Sequence, residues 1–513
     1  MTSADLTQIA SLVYTPTDTS SNDLPGIVIG HGFVSNKQAM QGIALELVKC
    51  GFVVINIDFR GHGQSGGNLE RDALIDDVYA AVQYLKNLPY VNNNSIGLVG
   101  HSMGGAAVMQ TAITYKTEIN ATVSIGMVGM NDSNYEINGT DINNLLIAMG
   151  GLEELFTYEA MIAFLKNATD RVNVTDGVQY GYFINGTAKK LFIAPYADHI
   201  LEITDSAIQN EICAWFRDSF YTGTTQPNTE IYRQIFGIIA LLGAVIGFFV
   251  FIPYMKPVIY KNVKENPRKI EDPNATKKIL LYIGGYCLVT MIAFLLLLPL
   301  SALFTQNLNL IMANFIIGLF MGYAIGLFLV FYLMHRYIDK DSRPFVRRIK
   351  EEISHNFKPS VLFGLVVFLF SFGSLTAILH WNMFDLLPTV RELGATLFVA
   401  ILLFPYVFLD QLYIRNLQSY IPQGRIKELL KVVLLSSVAK IALFIPILFI
   451  NLGLASIFVM ILLLAFPLLE MLSTWVYMYS GRNIISPAIF TTLLLAWVLV
   501  AVMPFGNYSF TFI

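Results

Sequence analysis

Val99-Gly100-His101-Ser102-Met103-Gly104-Gly105 stands between an apolar run and a helix-forming run. Small residues at Gly100 and Gly104 permit a sharp strand-to-helix turn around Ser102. Such a turn lifts a serine hydroxyl out of a sheet and aims the next helix's N-terminus at it. Five residues alone are a weak signal, so the flanking chain has to supply the matching parts.

Working outward, Gly26–Gly30, Phe52–Phe59 and Ser95–His101 read as short buried strands. They alternate with helical stretches at Gln38–Cys50, Arg71–Leu88 and Gly104–Tyr115; in the second of these Leu74, Val78, Ala81, Val82 and Leu85 form one apolar stripe. Leu6–Tyr14 has strand character, further strands are predicted at Ala121–Val128, Asn144–Met149 and Lys190–Ala194, and a closing helix at Asp205–Phe220. This alternation predicts a mostly parallel, doubly wound sheet with both faces covered.

Four ordered motifs lie on that framework: Gly30-His31-Gly32-Phe33, the run Asp58-Phe59-Arg60-Gly61-His62-Gly63-Gln64-Ser65-Gly66-Gly67, Gly100 to Gly104, and Ala197-Asp198-His199. Over Thr7 to Phe220 the chain resembles the α/β-hydrolase superfamily in its esterase, lipase and serine-aminopeptidase branches. The resemblance implies a nucleophilic serine at Ser102, then an acid, then a histidine in chain order. His31, His62 and His101 precede Ser102, which leaves His199 as the base in this half. The family's acid position, in the loop after the strand before the histidine's strand, falls on Glu153, with Asp132 the main rival and Glu154 one position away. Glutamate can fill that role, since the task is to orient and stabilise the imidazole. The backbone amides of Phe33 and Met103 are the implied oxyanion donors, each typically worth roughly 3 to 4 kcal/mol in the transition state. The Asp58–Gly67 run reads as a structural loop beneath the site, and serine at the elbow favours acyl transfer to water over the aspartate chemistry of other branches. About fifteen residues join the strands ending near Val128 and beginning near Asn144, too few for a cap, so an open pocket is expected.

Composition divides the chain near Glu230. Up to that residue eleven lysines and arginines face twenty-four aspartates and glutamates; beyond it twenty-two face twelve. Residues 1–222 are read as the hydrolase domain, 223–234 as a linker and 235–513 as an all-α membrane bundle. Eight apolar runs in the bundle have bilayer-crossing length: Ile235–Tyr254, Ile279–Leu298, Ile311–Met334, Val361–Trp381, Ala395–Leu412, Val432–Ile450, Ile457–Tyr477 and Ala488–Met503. Nineteen basic residues, Arg415 among them, lie in one alternating set of loops and only Arg391 in the other, which predicts an extracytoplasmic hydrolase domain and C-terminus. Seven Asn-x-Ser/Thr triplets in the first half, at Asn93, Asn120, Asn131, Asn138, Asn167, Asn173 and Asn185, point to a glycoprotein facing the same side. Met1–Ala10 has no signal-peptide pattern, so a further N-terminal segment is expected to precede it. Cys50 and Cys213 fall on helices on one side of the sheet, where either a disulfide or two buried thiols would fit.

Asp410, Lys440 and Glu470 fall in three consecutive spans, where ionisable groups cost about 2.5 to 3.5 kcal/mol each at mid-bilayer and need partners. They read either as an ion-paired cluster holding the bundle or as a proton or substrate path. No metal motif, cofactor motif or nucleic-acid platform is present. Two functions fit these features. One is a membrane-anchored serine hydrolase acting on an ester, thioester or amide, with membrane lipids and a lipid-linked, peptide or small-molecule substrate as partners. The other is a transporter or sensor with a non-catalytic hydrolase-like module.

Overall fold

The computed structural model describes residues 1–17, 23–128, 131–132, 135–136, 139–261, 272–304, 309–311, 313–338, 344–380, 383–441 and 454–506. The chain forms two compact units. The first comprises Met1–Ala240 with Thr376–Thr389 and Ala501–Tyr508; the second comprises Leu241–Leu375 and Val390–Val500.

In the first unit, β1 (Ser11–Tyr14), β2 (Leu24–Gly30), β3 (Val53–Ile57), β4 (Val91–His101) and β5 (Ala121–Ile125) are followed by a short hairpin, β6 (Asn131–Asp132) with β7 (Tyr135–Glu136), and then by β8 (Leu145–Gly150) and β9 (Lys189–Ala194). Seven of them form one sheet in the order β1-β3-β2-β4-β5-β8-β9, with β1 antiparallel and the rest parallel. Every residue of β3, β5 and β8 is buried, as parallel strands covered on both faces require. The covering helices are α1 (Gln41–Lys49), α2 (Leu74–Lys86), α3 (Met103–Thr114), α4 (Tyr158–Thr169) and α5 (Ser206–Phe220). This is the mostly parallel, doubly wound sheet expected from the alternation, in the α/β-hydrolase arrangement that the resemblance implies. The apolar stripe of α2 is buried at Leu74, Val78, Ala81, Val82 and Leu85.

The sequence reading did not assign α4. Its start is nonetheless written in Thr157, whose hydroxyl caps the Ala160 N–H at 3.3 Å. Asp205 caps α5 through the Ala207 and Ile208 N–H groups at 2.9 and 3.0 Å. Cys50 and Cys213 are free thiols, set close enough to hydrogen-bond one another. The connection expected to leave the pocket uncapped lies partly outside the described residues.

The second unit is built from most of α6 (Glu230–Ile259) together with α7 (Ala275–Phe304), α8 (Ala313–Tyr337), α9 (Phe345–Ser354), α10 (Phe357–Leu379), α11 (Val390–Ser419), α12 (Arg425–Ile441), α13 (Leu454–Tyr479) and α14 (Ile485–Val502). Helix α6 begins at Glu230, within the stretch read as a linker. Six of these helices, α6, α7, α8, α10, α11 and α14, are long and apolar enough to cross a membrane. Of the other two stretches read as spans, 432–450 lies partly outside the described residues and 457–477 falls within α13. Helices α7 and α8 approach closely because α8 presents Gly318, Gly322 and Gly326 at four-residue spacing. A Cβ on these would lie 2.7, 2.9 and 3.1 Å from the backbone of Ser301, Ala293 and Val289.

Candidate active site

Ser102 sits between the end of β4 and the start of α3 with φ +51° and ψ −116°, a strained conformation for a residue with a side chain. Its glycine neighbours make the turn feasible. A Cβ on Gly100 would lie 2.1 Å from the Gly104 carbonyl oxygen, and one on Gly104 would lie 2.5 Å from that of Gly30. The Ser102 N–H donates to the Ile125 carbonyl at 2.8 Å, fixing the turn against β5.

His199 reaches Ser102 from the loop after β9. Its Nε2 lies 3.1 Å from Ser102 Oγ, and its Nδ1 lies 2.8 Å from Glu153 Oε2. The two adjacent glutamates divide the work: Glu154 Oε2 accepts the His199 backbone N–H at 3.1 Å, while Glu153 takes the ring. Glu153 is fixed in turn by the Leu155 N–H at 2.7 Å. Burial would raise its carboxyl, but the bond and charge of His199 together with that N–H hold it below the usual carboxylate range. The loop shape comes from Asp198, whose Oδ1 accepts the N–H groups of Ile200 and Leu201 at 3.0 and 2.7 Å. The side chain of the rival acid, Asp132, lies outside the described residues.

The two backbone positions proposed as donors flank Ser102. Met103 opens α3, so its N–H is among the first-turn donors that have no intrahelical acceptor. Phe33 follows Gly32, where a Cβ would lie 3.4 Å from Ser102 Cβ and 2.8 Å from His101 Nδ1. The turn carrying Phe33 therefore passes directly beside the serine. An arrangement of this kind can take a proton from a hydroxyl, stabilise the resulting imidazolium and receive a developing oxyanion.

The Asp58–Gly67 loop supports the site from below. Asp58 Oδ1 accepts the Lys37 N–H at 2.7 Å, and Oδ2 pairs with Lys37 Nζ at 2.6 Å and with the Gln64 N–H at 3.0 Å. Arg60 forms a buried fork with Asp77. Burial pushes both His31 and His62 down, leaving them neutral.

Sequence reasoning missed Glu202, three residues after His199. This fully buried carboxyl accepts the Gly150 N–H on Oε1 at 2.5 Å. Its Oε2 has no hydrogen-bond partner among the described residues and lies 3.6 Å from His101 Nε2. His101 Nε2 donates to the His199 carbonyl at 2.9 Å, and burial drives that ring down to about 3, so it is neutral. Gly126, at φ +59°, leaves the room required: a Cβ there would lie 2.2 Å from Glu202 Oε2 and 3.1 Å from His199 Cε1. His101, His199 and Glu202 also bring three ligand-type atoms within 4.8 Å of one another.

Burial first, and then the charge of Glu153, push Glu202 up to about 10. Glu202 thus keeps in the folded state a proton that the unfolded chain releases near 4.5. Stability therefore falls as pH rises through that window, by at most about 1.4 kcal/mol per pH unit. Glu202→Gln is expected to gain melting temperature relative to the wild type steadily between pH 5 and 9. A difference that stays flat across that range would show that Glu202 is not the buried acid described.

In the second unit Asp410, Lys440 and Glu470 are brought together. Lys440 Nζ lies 2.8 Å from Asp410 Oδ2 and 3.0 Å from Glu470 Oε2. Arg415, counted among the loop bases in the sequence, is instead a buried residue of α11 that pairs with Glu470 at 2.9 Å.

Residues 25–162 match the family described as Serine aminopeptidase, S33. The chain is 25% identical over 198 residues to the uncharacterized protein YfhR of Escherichia coli, covering 37% of this chain and 68% of that protein. It is 30% identical over 122 residues to a monoacylglycerol lipase of Mycolicibacterium smegmatis, covering 22% of this chain and 40% of that one. Among solved structures, Est1E from Butyrivibrio proteoclasticus with ferulic acid bound aligns at 19% identity and a TM-score of 0.32, covering 42% of this chain and 96% of that one.

Proposed function

We propose that the N-terminal half of this chain, whose residues 25–162 match that family, is a hydrolase with Ser102, His199 and Glu153 as its catalytic triad. The observation carrying this reading is the continuous chain from Ser102 Oγ through the His199 ring to Glu153, at 3.1 and 2.8 Å. His199 Nε2 takes the Ser102 proton as Oγ adds to the substrate carbonyl. The oxyanion is received by the Met103 and Phe33 N–H groups, and His199 then returns the proton to the departing alcohol, thiol or amine. Water, deprotonated by the same ring, releases the acid and restores Ser102. Glu153 holds the ring in the Nδ1–H tautomer and balances its charge.

The substrate class we favour is an acylated lipid or lipid-linked ester. Leu152, Tyr196, Ile200 and Leu201, on the two loops that carry Glu153 and His199, are exposed, Tyr196 to 86%. Apolar side chains held open to solvent beside such a site suit an acyl chain. A fluorophosphonate probe tests the reading: it should label the native protein on Ser102, and labelling that survives Ser102→Ala would overturn it.

We further propose that the chain is a membrane protein whose hydrolase domain is extracytoplasmic. Besides the charge asymmetry, Thr376–Thr389 and Ala501–Tyr508, which run into the loop and the tail that this asymmetry assigns to the hydrolase side, belong to the same compact unit as the sheet. Asn93, Asn167, Asn173 and Asn185 are exposed, as glycan acceptors would need to be. A cysteine introduced at exposed Val172 should react with a membrane-impermeant maleimide on intact cells, and one at Lys277 only after permeabilisation. The reverse pattern would invert the topology.

A further inference from the structure

The segment Thr376–Thr389, which follows the apolar stretch of α10 in the chain, belongs to the sheet-containing unit and brings Asp385 against the turn that carries Phe33. Asp385 is 4% exposed, and all its polar groups are engaged. Asn36 pairs with its backbone in both directions: Asn36 Nδ2 donates to the Asp385 carbonyl at 3.3 Å, and the Asp385 N–H donates to Asn36 Oδ1 at 3.2 Å. The carboxylate accepts Gln64 Nε2 at 2.7 Å and Gln38 Nε2 at 3.3 Å on Oδ2, with His380 Nδ1 at 2.9 Å and the Leu387 N–H at 3.1 Å on Oδ1. Lys37 Nζ, already bonded to Asp58, lies 3.9 Å away.

These contacts gather where the backbone needs holding. Val34 has φ +57°, which a β-branched residue adopts only at a cost of about 1 to 3 kcal/mol and only where its surroundings fix it. The front of the turn is fixed by the His31 ring, which accepts the Phe59 N–H at 3.0 Å and donates to the Gly32 carbonyl at 2.7 Å. The back is fixed at Asn36, whose Oδ1 also caps the Gln38 N–H at 3.3 Å. Between these two anchors lie Phe33 and the strained valine.

We infer that Asp385 is a positioning residue for the hydrolytic site: through Asn36 it holds the turn 31–36, and with it the Phe33 N–H, beside Ser102. The inference rests on the triad reading given above. It gives the loop between two long apolar helices a part in the chemistry, and it makes the acyl-transfer site complete only in the full chain. A donor that is loosened costs rate in the transition state and leaves ground-state binding alone.

The test uses the full chain in detergent with p-nitrophenyl butyrate as substrate, comparing wild type, Asp385→Ala, Asn36→Ala and the double variant. Each single variant should lower kcat ten- to hundred-fold with KM within two-fold. The double variant should be no worse than the poorer single one, as a shared contact requires. Affinity for a trifluoromethyl ketone, whose hemiketal oxyanion uses the same donors, should fall in parallel with kcat. Loss of activity only in proportion to the unfolded fraction, or a rise in KM with kcat kept, would overturn the inference. Should Asp385→Ala not fold, Asn36→Ala carries the test, because it leaves the glutamine contacts of Asp385 in place. A wild type that fails to react with fluorophosphonate fails the triad reading; a reactive wild type matched by equally active variants fails only this inference.

Discussion

Ser102→Ala is expected to lower kcat/KM on an activated ester by roughly 10⁴- to 10⁶-fold and to leave the melting temperature close to that of the wild type or above it. The size follows from the geometry: the hydroxyl is the group that forms the covalent bond, and the ring 3.1 Å away has nothing else to deprotonate except water. Some catalysis over the uncatalysed rate remains, because the donors at Met103 and Phe33 are main-chain groups untouched by the substitution. The stability part of the expectation comes from Ser102 itself. Its φ of +51° is strained for serine and alanine alike, so removing one oxygen changes the strain little. Glu153→Gln makes a companion measurement. It keeps the shape but removes the charge that balances the imidazolium and permits the wrong tautomer, and about a 10⁴-fold loss is expected. Equal losses at Glu154→Gln would instead mean that the two glutamates exchange roles.

Much of this site was legible in the chain because its parts are local. Gly100, Ser102 and Gly104 form one turn, Asp198 shapes the loop that presents His199, and the apolar runs that become β2, β4 and β5 set their order. Glu153 was legible once the order of strands was known, since it follows β8 by three residues. What escaped depends on contacts far apart in sequence. Glu202 looks like an ordinary helix-flanking acid until the fold shows its carboxyl sealed under Gly126. Asp385 lies 349 residues from Asn36, and nothing in its neighbourhood marks it as a partner of the first half. Arg415 reads as a loop cation because charge ends an apolar run. Only the pairing with Glu470 reveals that α11 continues past it.

That pairing carries the second large effect. Lys440 and Arg415 bring two positive charges to the two carboxylates of Asp410 and Glu470; Tyr286 donates to Asp410 Oδ1 at 2.7 Å and Thr474 to Glu470 Oε1 at 2.9 Å. The cluster is neutral as a whole and buried, so its desolvation cost is already met by mutual attraction and hydrogen bonds. Taking away one member leaves an unbalanced charge in a medium that cannot solvate it, a change that typically costs 3 to 5 kcal/mol, so about that is expected for Lys440→Met. Removing charge in balanced pairs behaves differently, because matched apolar or neutral replacements of buried ion pairs are often neutral in stability. Lys440→Met combined with Asp410→Asn should therefore recover at least half of the lost melting temperature. The same variants separate the two readings of the cluster. If it is a brace, fluorophosphonate labelling of Ser102 and ester turnover stay at wild-type rates below the melting transition in both variants. If it is a proton or substrate path, the double variant regains its stability yet loses function in membranes, and the hydrolase would then be one half of a coupled machine.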